Sequence, residues 1–177
     1  DELRLTDIDE SRLHIVGDFC ERLLLENGME PRIMQTSDLP RALDGADYIV
    51  TQIRAGRLEA RIRDEKIPLN FGLIGQETTG IGGFLNALRT IPQMAQIAAA
   101  AEQYAPNAWM VNFSNPSGIV TEYLLNHTSI KAVGLCNLPV GAQERIAKLL
   151  HVPKEDVRLE TVSLNHCGAI TGIYVGG

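Results

Sequence analysis

Short apolar segments alternate with segments of helical periodicity along most of the chain. Apolar runs rich in β-favouring residues predict strands at residues 3–7, 32–35, 47–53, 108–113, 131–135, 157–164 and 170–175. Apolar residues spaced three and four apart predict helices at residues 11–26, 39–43, 84–104, 119–125 and 140–150, the third one interrupted or kinked at Pro92. Residues 54–83 are glycine-rich and charged without a clear period, which predicts a long functional loop.

Strands and helices alternate up to about residue 150, which is typical of a doubly wound parallel sheet. We therefore predict a Rossmann-like α/β domain over residues 1–150. The last two predicted strands follow each other without a helix, so residues 151–177 are predicted to begin an α+β catalytic domain. The first strand of such a sheet and its glycine-rich loop would precede Asp1, so we expect a fragment that is incomplete at its N-terminus.

Polar or reactive side chains follow five of the predicted strands. They are Asp7, Arg54, Asn115, Cys136 and His166. Because ligands of open α/β sheets bind beyond the carboxyl ends of the strands, we expect these groups to meet at one edge. This convergence predicts a nucleotide-binding enzyme whose chemistry is carried by Asn115, Cys136 and His166.

Each of these residues also has a simpler interpretation. Asp7 is either the carboxylate that binds an adenosine ribose or an ordinary turn aspartate. Cys136 and His166 are either ligands of a transition metal or unrelated residues, since a buried cysteine often acts as a small apolar side chain. The glycine-rich segment at residues 75–83 either holds an anion on backbone amides or caps a helix.

Composition excludes several classes of protein. The net charge of −6 and the pI of about 5.2 argue against nonspecific binding to nucleic acid. Apolar runs in the sequence stay well short of the roughly 20 residues that a membrane span needs, so no membrane partner is expected. The 3 cysteines are widely spaced and do not form a disulfide pattern, which predicts a cytoplasmic protein with reduced thiols.

Five motifs, taken in order along the chain, resemble glycoside hydrolase family 4, and in particular its 6-phospho-β-glucosidases. Four of them lie after predicted strands, and the fifth lies in the predicted loop. The motifs are residues 53–61 (IRAGRLEAR), 75–78 (GQET), 112–116 (NFSNP), 136–139 (CNLP) and 164–166 (LNH). Because they occur in order over essentially the whole chain, the resemblance is specific.

The resemblance implies hydrolysis of a phosphorylated disaccharide or aryl glycoside with NAD⁺ and Mn²⁺ or another divalent metal. In this family the C3 hydroxyl of the sugar is oxidised, the C2 proton is then removed, and the aglycone is eliminated from C1. This chemistry lies outside the usual scheme of two carboxylates. Relatives in the family form dimers or tetramers, so we expect a homo-oligomer.

The resemblance also implies roles for individual residues. Cys136 and His166 match the metal ligands of the family, and Glu77 matches the acidic residue that supports a catalytic tyrosine. That tyrosine is expected beyond Gly177, so this chain alone is predicted to be inactive. Further positions match substrate-binding residues, namely Arg61, Asn115 and Asn137.

Asn137 and Asp7 carry two more specific expectations. Members that act on α-linked substrates tend to have Asp at the position of Asn137, where it serves as a general acid. An amide cannot donate a proton in that way, so the resemblance favours the β linkage. Asp7 is expected to bind the ribose of NAD⁺.

Two other functions are compatible with the predicted fold. A lactate- or malate-type NAD-dependent 2-hydroxy-acid dehydrogenase shares the fold and the Asn115-Pro116 dipeptide, but it would need a catalytic histidine with an acidic partner and no metal. An inactive NAD-fold binding module would bind neither metal nor sugar phosphate.

Overall fold

The structure is a computed structural model that describes residues 2–176. Its helices are α1 (Glu10–Glu26), α2 (Leu39–Leu43), α3 (Arg57–Leu69), α4 (Gly80–Tyr104), α5 (Ser117–His127) and α6 (Leu138–Leu150), and a 3₁₀ turn covers Lys154–Asp156. Its strands are β1 (Leu3–Thr6), β2 (Ile33–Thr36), β3 (Tyr48–Thr51), β4 (Trp109–Asn112), β5 (Lys131–Gly134), β6 (Val157–Leu164) and β7 (Cys167–Val175).

The first five strands form parallel sheets. β1 pairs with β2, and β3, β4 and β5 pair in that order, all in parallel. The α1 helix connects β1 to β2, and α5 connects β4 to β5. This arrangement confirms the predicted α/β class and brings the carboxyl ends of β3, β4 and β5 to one edge. The further strand expected before residue 1 stays a prediction.

The last two strands form a separate antiparallel hairpin. Leu164 pairs with Cys167, so Asn165 and His166 form the turn between β6 and β7. The side chain of Gln143 on α6 donates a hydrogen bond of 2.6 Å to the backbone carbonyl of Val157, which attaches the hairpin to the last helix. The architecture therefore changes after α6, where the sequence predicted a domain boundary, and that boundary stays a prediction.

The apolar core lies between α4, α5 and one face of the sheet formed by β3 and β4. The residues of α4 that face this core recur at helical spacing, and those of the strands alternate. Its fully buried members include Met94, Ala98, Ala101, Met110, Val120 and Leu124. Within residues 2–176, no helix is both long and apolar enough to cross a membrane.

The prediction that residues 54–83 form one long loop was wrong, because α3 occupies Arg57–Leu69. The buried face of α3 consists of Ala60, Asp64 and Pro68, which are four residues apart. Because this face contains no large apolar side chain, the sequence of α3 shows no large apolar residues at helical spacing on its buried side. Gly56 precedes the helix with φ of 76°, a left-handed conformation that glycine adopts without steric cost.

Two further boundaries differ from the predictions. The α4 helix begins at Gly80 and continues through Pro92 without interruption, so the loss of one backbone N–H is tolerated in a helix that packs on the core. The β7 strand begins at Cys167 rather than Ile170, because Cys167, Gly168 and Ala169 pair with the end of β6.

A buried ion pair fastens α3 to α4. Asp64 is 3% exposed and accepts two hydrogen bonds from the guanidinium of Arg89, one of them 2.7 Å long. The Arg89 guanidinium also donates to the backbone carbonyl of Leu85 at 3.1 Å. The hydrogen bond that Arg89 donates to Asp64 raises the pKa of Arg89. Replacing either Asp64 or Arg89 would leave the other residue charged and unpaired at a partly buried position.

We expect Asp64→Asn to lower the free energy of unfolding by about 2 kcal/mol, since Arg89 is left poorly compensated but can still reach water. Urea unfolding of the complete gene product measures the change. Glu144→Gln is the matched control, because Glu144 pairs with Lys154 on an exposed surface and its loss should leave the midpoint unchanged. Equal midpoints for the two variants would contradict the role of the Asp64–Arg89 pair.

Candidate active site and metal centre

Cys136 and His166 contact each other although they are thirty residues apart. The distance between Cys136 Sγ and His166 Nε2 is 3.5 Å. Cys136 follows the end of β5, and its sulfur also accepts the backbone N–H of Leu138 at the start of α6, at 3.5 Å. The sulfur and the imidazole nitrogen therefore face a common space at the carboxyl edge of the parallel sheet.

His166 reaches this edge by a different route from the one that the sequence predicted. It does not follow a parallel strand, because β6 and β7 are antiparallel and His166 lies in the turn between them. Its φ is 56°, a left-handed conformation that is uncommon outside glycine. Two-residue hairpin turns use such a conformation, so the φ of His166 follows from its place in the turn.

The donor set of Cys136 and His166 suits a divalent transition metal. A thiolate and a neutral imidazole are ligands that zinc, manganese and related metals accept. Within residues 2–176, no group of three or more His, Cys, Asp and Glu side chains is placed to hold a metal. Among the described residues, Cys136 and His166 are therefore the pair that we take as candidate metal ligands.

Glu77 lies between two arginine side chains. It forms ion pairs with Arg54, which follows β3, and with Arg61 on α3, at 3.5 Å in the second case. Arg61 also bonds Glu65 at 2.8 Å, and this hydrogen bond, more than the charge of Glu77, raises the pKa of Arg61. The Glu77 side chain is 15% exposed, so its carboxylate is held in a defined position with two cations beside it.

Asn115 lies in the loop between β4 and α5, and its peptide bond to Pro116 is cis. The fully buried side chain of Asn112 supports this loop, because its carbonyl accepts the N–H of Ser114 at 2.9 Å and the hydroxyl of Thr51 at 3.0 Å. The hydroxyl of Ser117 then donates to the backbone carbonyl of Leu135 at 3.3 Å. The Asn115 loop is thereby connected to the segment that carries Cys136.

Asp7 follows β1 and forms a bidentate ion pair with Arg12. The two hydrogen bonds are 2.8 and 2.6 Å long, and the backbone N–H of Asp9 donates a third at 2.9 Å. The hydrogen bond from Arg12 holds the pKa of Asp7 below its usual value. Asp7 is therefore an ionised acceptor at the carboxyl end of a strand. Its contact with a ribose stays a prediction.

Asn137 is exposed at the N-terminus of α6, next to Cys136. A cleft of about 400 Å³ opens on the α5 side of Cys136. Its lining includes Ser117, Gly118, Glu122 and Asn165. Asn165 is the neighbour of His166 in the hairpin turn, so this cleft adjoins the candidate metal ligands.

The predicted site residues therefore fall into three groups. Cys136 and His166 contact each other directly, and Asn137 is adjacent in the chain. Arg61 and Glu77 form a second group, which a buried asparagine on α4 links to the Asn115 loop. Asp7 pairs with Arg12, and its neighbour Asp9 forms an ion pair of 3.1 Å with Arg57 at the start of α3.

The sequence placed Arg54 among the polar groups that follow the strands but gave it no specific role, and it did not single out Asn86 or Asn112. Asn86 is a buried amide on a largely apolar helix, and Asn112 is one at the end of an apolar strand. A polar residue at a predicted core position is the signal that could have marked them.

Comparisons with known proteins identify the family. Residues 1–152 match the model of the family described as family 4 glycosyl hydrolase. The chain belongs to this family. The resemblance stated from the motifs is thereby confirmed.

Several members of family 4 are similar to the chain over nearly its whole length. A probable 6-phospho-β-glucosidase of Bacillus subtilis is 47% identical over 99% of the chain, and a 6-phospho-α-glucosidase of Lacticaseibacillus paracasei is 39% identical over 97%. A solved structure of the 6-phospho-β-glucosidase from Thermotoga maritima with manganese, NAD⁺ and glucose-6-phosphate is 40% identical. It has a TM-score of 0.87 and covers 99% of this chain and 42% of that one. The chain spans about 40% of the length of the curated family 4 relatives.

A malate dehydrogenase from Aeropyrum pernix shares the fold, with a TM-score of 0.74 over the whole chain and 53% of its own. Its identity of 17% shows the fold alone. This likeness confirms the Rossmann-like class, and it lends no support to a dehydrogenase function.

Proposed function

We propose that the complete gene product hydrolyses 6-phospho-β-glucosides with NAD⁺ and a divalent metal such as Mn²⁺. The observation that carries this proposal is the contact of 3.5 Å between Cys136 Sγ and His166 Nε2. Membership of family 4 supports it, and so does the similarity to an enzyme solved with manganese, NAD⁺ and glucose-6-phosphate. A family 4 enzyme that uses NAD⁺ and a divalent metal needs metal ligands, and a thiol beside an imidazole at the sheet edge would provide them.

The roles of the residues follow from their positions. The Cys136 thiolate and the His166 imidazole hold the metal at the end of β5. When bound, NAD⁺ would supply reversible oxidation of the sugar, and the metal would supply Lewis-acid polarisation of its oxygen atoms. Arg61 and the Asn115 amide bind the phosphorylated sugar. Glu77 orients the tyrosine that removes a proton from C2, and Asp7 accepts hydrogen bonds from the ribose of the cofactor.

The β linkage is supported by Asn137. Its amide cannot act as a general acid, whereas an aspartate at this position could. The identity of 47% to the Bacillus subtilis relative named for β-linked substrates agrees with this assignment. We also propose that residues 1–150 form a cofactor domain and that a catalytic domain begins at residue 151. The same proposal includes a homo-oligomeric state and a cytoplasmic location.

The proposal is tested with the complete gene product and an aryl 6-phospho-β-glucoside. We expect aglycone release to require both NAD⁺ and Mn²⁺, and to stop when a chelator removes the metal. In D₂O the glucose 6-phosphate formed should carry deuterium at C2, because the proton removed from C2 is replaced from solvent. Turnover without NAD⁺, or product without deuterium, would contradict the proposal. Net NADH formation from a 2-hydroxy acid would favour the dehydrogenase.

A further inference from the structure

One face of α4 carries a short row of small and polar residues. Gly82, Asn86 and Thr90 are four residues apart, so they lie on the same side of the helix. All three are buried, with Asn86 6% exposed and Thr90 fully inaccessible. One turn further along, α4 becomes apolar at Met94 and Ala98. A buried amide in such a helix is costly unless its polar atoms are hydrogen-bonded.

The amide of Asn86 is bonded to two separate loops. Its Nδ2 donates to the backbone carbonyl of Glu77 at 3.4 Å and to that of Asn115 at 3.3 Å. The first carbonyl belongs to the loop before α4, and the second belongs to the loop after β4. A single buried side chain thus joins the backbones of two residues to which the proposed function gives roles.

A hydrogen bond from Thr90 fixes the orientation of the Asn86 amide. The hydroxyl of Thr90 donates to Asn86 Oδ1 at 3.1 Å, so the oxygen is satisfied within the helix and the nitrogen faces the loops. The fully buried Thr90 has its hydroxyl aimed at this atom, one turn along the helix. The two N–H groups of Asn86 are therefore directed at the loop carbonyls.

The loop that carries Glu77 also lies directly on the helix backbone. A Cβ atom at Gly82 would come within 2.0 Å of the carbonyl oxygen of Gln76, and one at Gly83 within 2.5 Å of the carbonyl carbon of Thr78. Such distances leave no room for any side chain at these two positions. Glycine at the first turn of α4 thus lets the Glu77 loop approach the helix closely enough for Asn86 to reach it.

We propose that Asn86 is a positioning residue that holds the Glu77 and Asn115 loops at a fixed separation. This inference rests on the proposed function, since it explains how the loop of Glu77, which orients the tyrosine, is held next to the loop of the substrate-binding Asn115. Asn86 acts through backbone carbonyls and contacts neither site side chain by the bonds described. The groups of an active site must be held within about half an ångström of their productive positions. A displacement of about 1 Å can lower the rate about 100-fold.

The test uses Asn86→Asp in the complete gene product, with Asn86→Leu as a second variant if the first folds poorly. Both remove the N–H donors while keeping the same number of side-chain heavy atoms. We expect kcat to fall about 10- to 100-fold, with Mn²⁺ affinity unchanged, because the loops separate and the Cys136–His166 pair does not move. Hydrogen exchange should become faster in residues 75–79 and 113–117 together.

Ala98→Gly is the matched control, since Ala98 is buried on the same helix and far along it from both loops. It should lower the thermal midpoint and leave kcat and the exchange of both loops unchanged. If Asn86→Asp behaves as Ala98→Gly does in kcat or in loop exchange, the positioning role is overturned. Loss of the proposed function itself would show as inactivity of the wild type, and the exchange experiment would then still decide the bridging role.

Discussion

Cys136→Ser and His166→Ala are each expected to lower kcat/KM for a 6-phospho-β-glucoside by about 1000-fold or more. A serine hydroxyl has the shape of the thiol but stays protonated and binds transition metals weakly, and alanine removes the imidazole altogether. Loss of either ligand leaves one protein donor, which cannot hold the metal against water. Steady-state kinetics of the complete gene product at saturating NAD⁺ and Mn²⁺ measures the effect.

Cys167→Ser is the matched control for this prediction. Cys167 is exposed and immediately follows His166, but it lies in β7 rather than in the turn, and Cys136 is the sulfur that contacts the imidazole. Its replacement should leave the kinetics unchanged. An active Cys136→Ser enzyme that still needs Mn²⁺ would show that the metal is held elsewhere.

Glu77→Gln is expected to lower kcat about 100-fold, with a much smaller change in KM. Glutamine keeps the shape of the side chain but removes the charge that pairs with Arg54 and Arg61. An uncharged amide can neither orient a tyrosine as a carboxylate does nor hold both guanidinium groups in place. Steady-state kinetics over a range of substrate concentrations separates the two parameters.

Glu65→Gln serves as the control for Glu77, because Glu65 is the other carboxylate bonded to Arg61. The Glu65–Arg61 pair is a partly exposed contact within one helix, and Glu77 still pairs with Arg61 without it, so its loss should cost little activity. If Glu77→Gln and Glu65→Gln gave the same kcat, Glu77 would be a member of a surface ion-pair network without a role in the reaction.

Much of the fold follows from the sequence because its strands are short apolar runs and most of its helices have an apolar face. The α3 helix escaped prediction, since its buried side is Ala60, Asp64 and Pro68. An ion pair joins Asp64 of α3 to Arg89 on another helix, and no local pattern reports such a contact. The limit of sequence reasoning here is thus a helix whose buried face is small and includes a charged residue with a tertiary partner.

The candidate site was partly predictable for a geometric reason. Parallel strands deliver their carboxyl ends to one edge, so Asn115 and Cys136 could be placed near each other from their positions after β4 and β5. His166 arrives by an antiparallel hairpin, so its contact with Cys136 could not be derived from that rule. The motifs matched to the family suggested the pair, and the left-handed turn explains how the imidazole reaches it.

The sequence could mark the buried amides that support the site, but it could not show which groups they bond. Asn86 looks like an ordinary residue in an apolar helix until the two loops that it joins are seen in three dimensions. Asn112 likewise lies within a strand of apolar character. Both are buried amides that bond a local partner and also a group far away in the chain, Asn115 for Asn86 and Thr51 for Asn112, and no sequence spacing reports the distant partner.

Titration of Mn²⁺ into the complete gene product under reducing conditions tests the central claim most directly. We predict that wild type and Cys167→Ser bind one Mn²⁺ per chain at this site, and that Cys136→Ser and His166→Ala, shown to be folded, lose that binding. Folded Cys136→Ser and His166→Ala proteins that bind Mn²⁺ as the wild type does would contradict the assignment of Cys136 and His166 as the metal ligands.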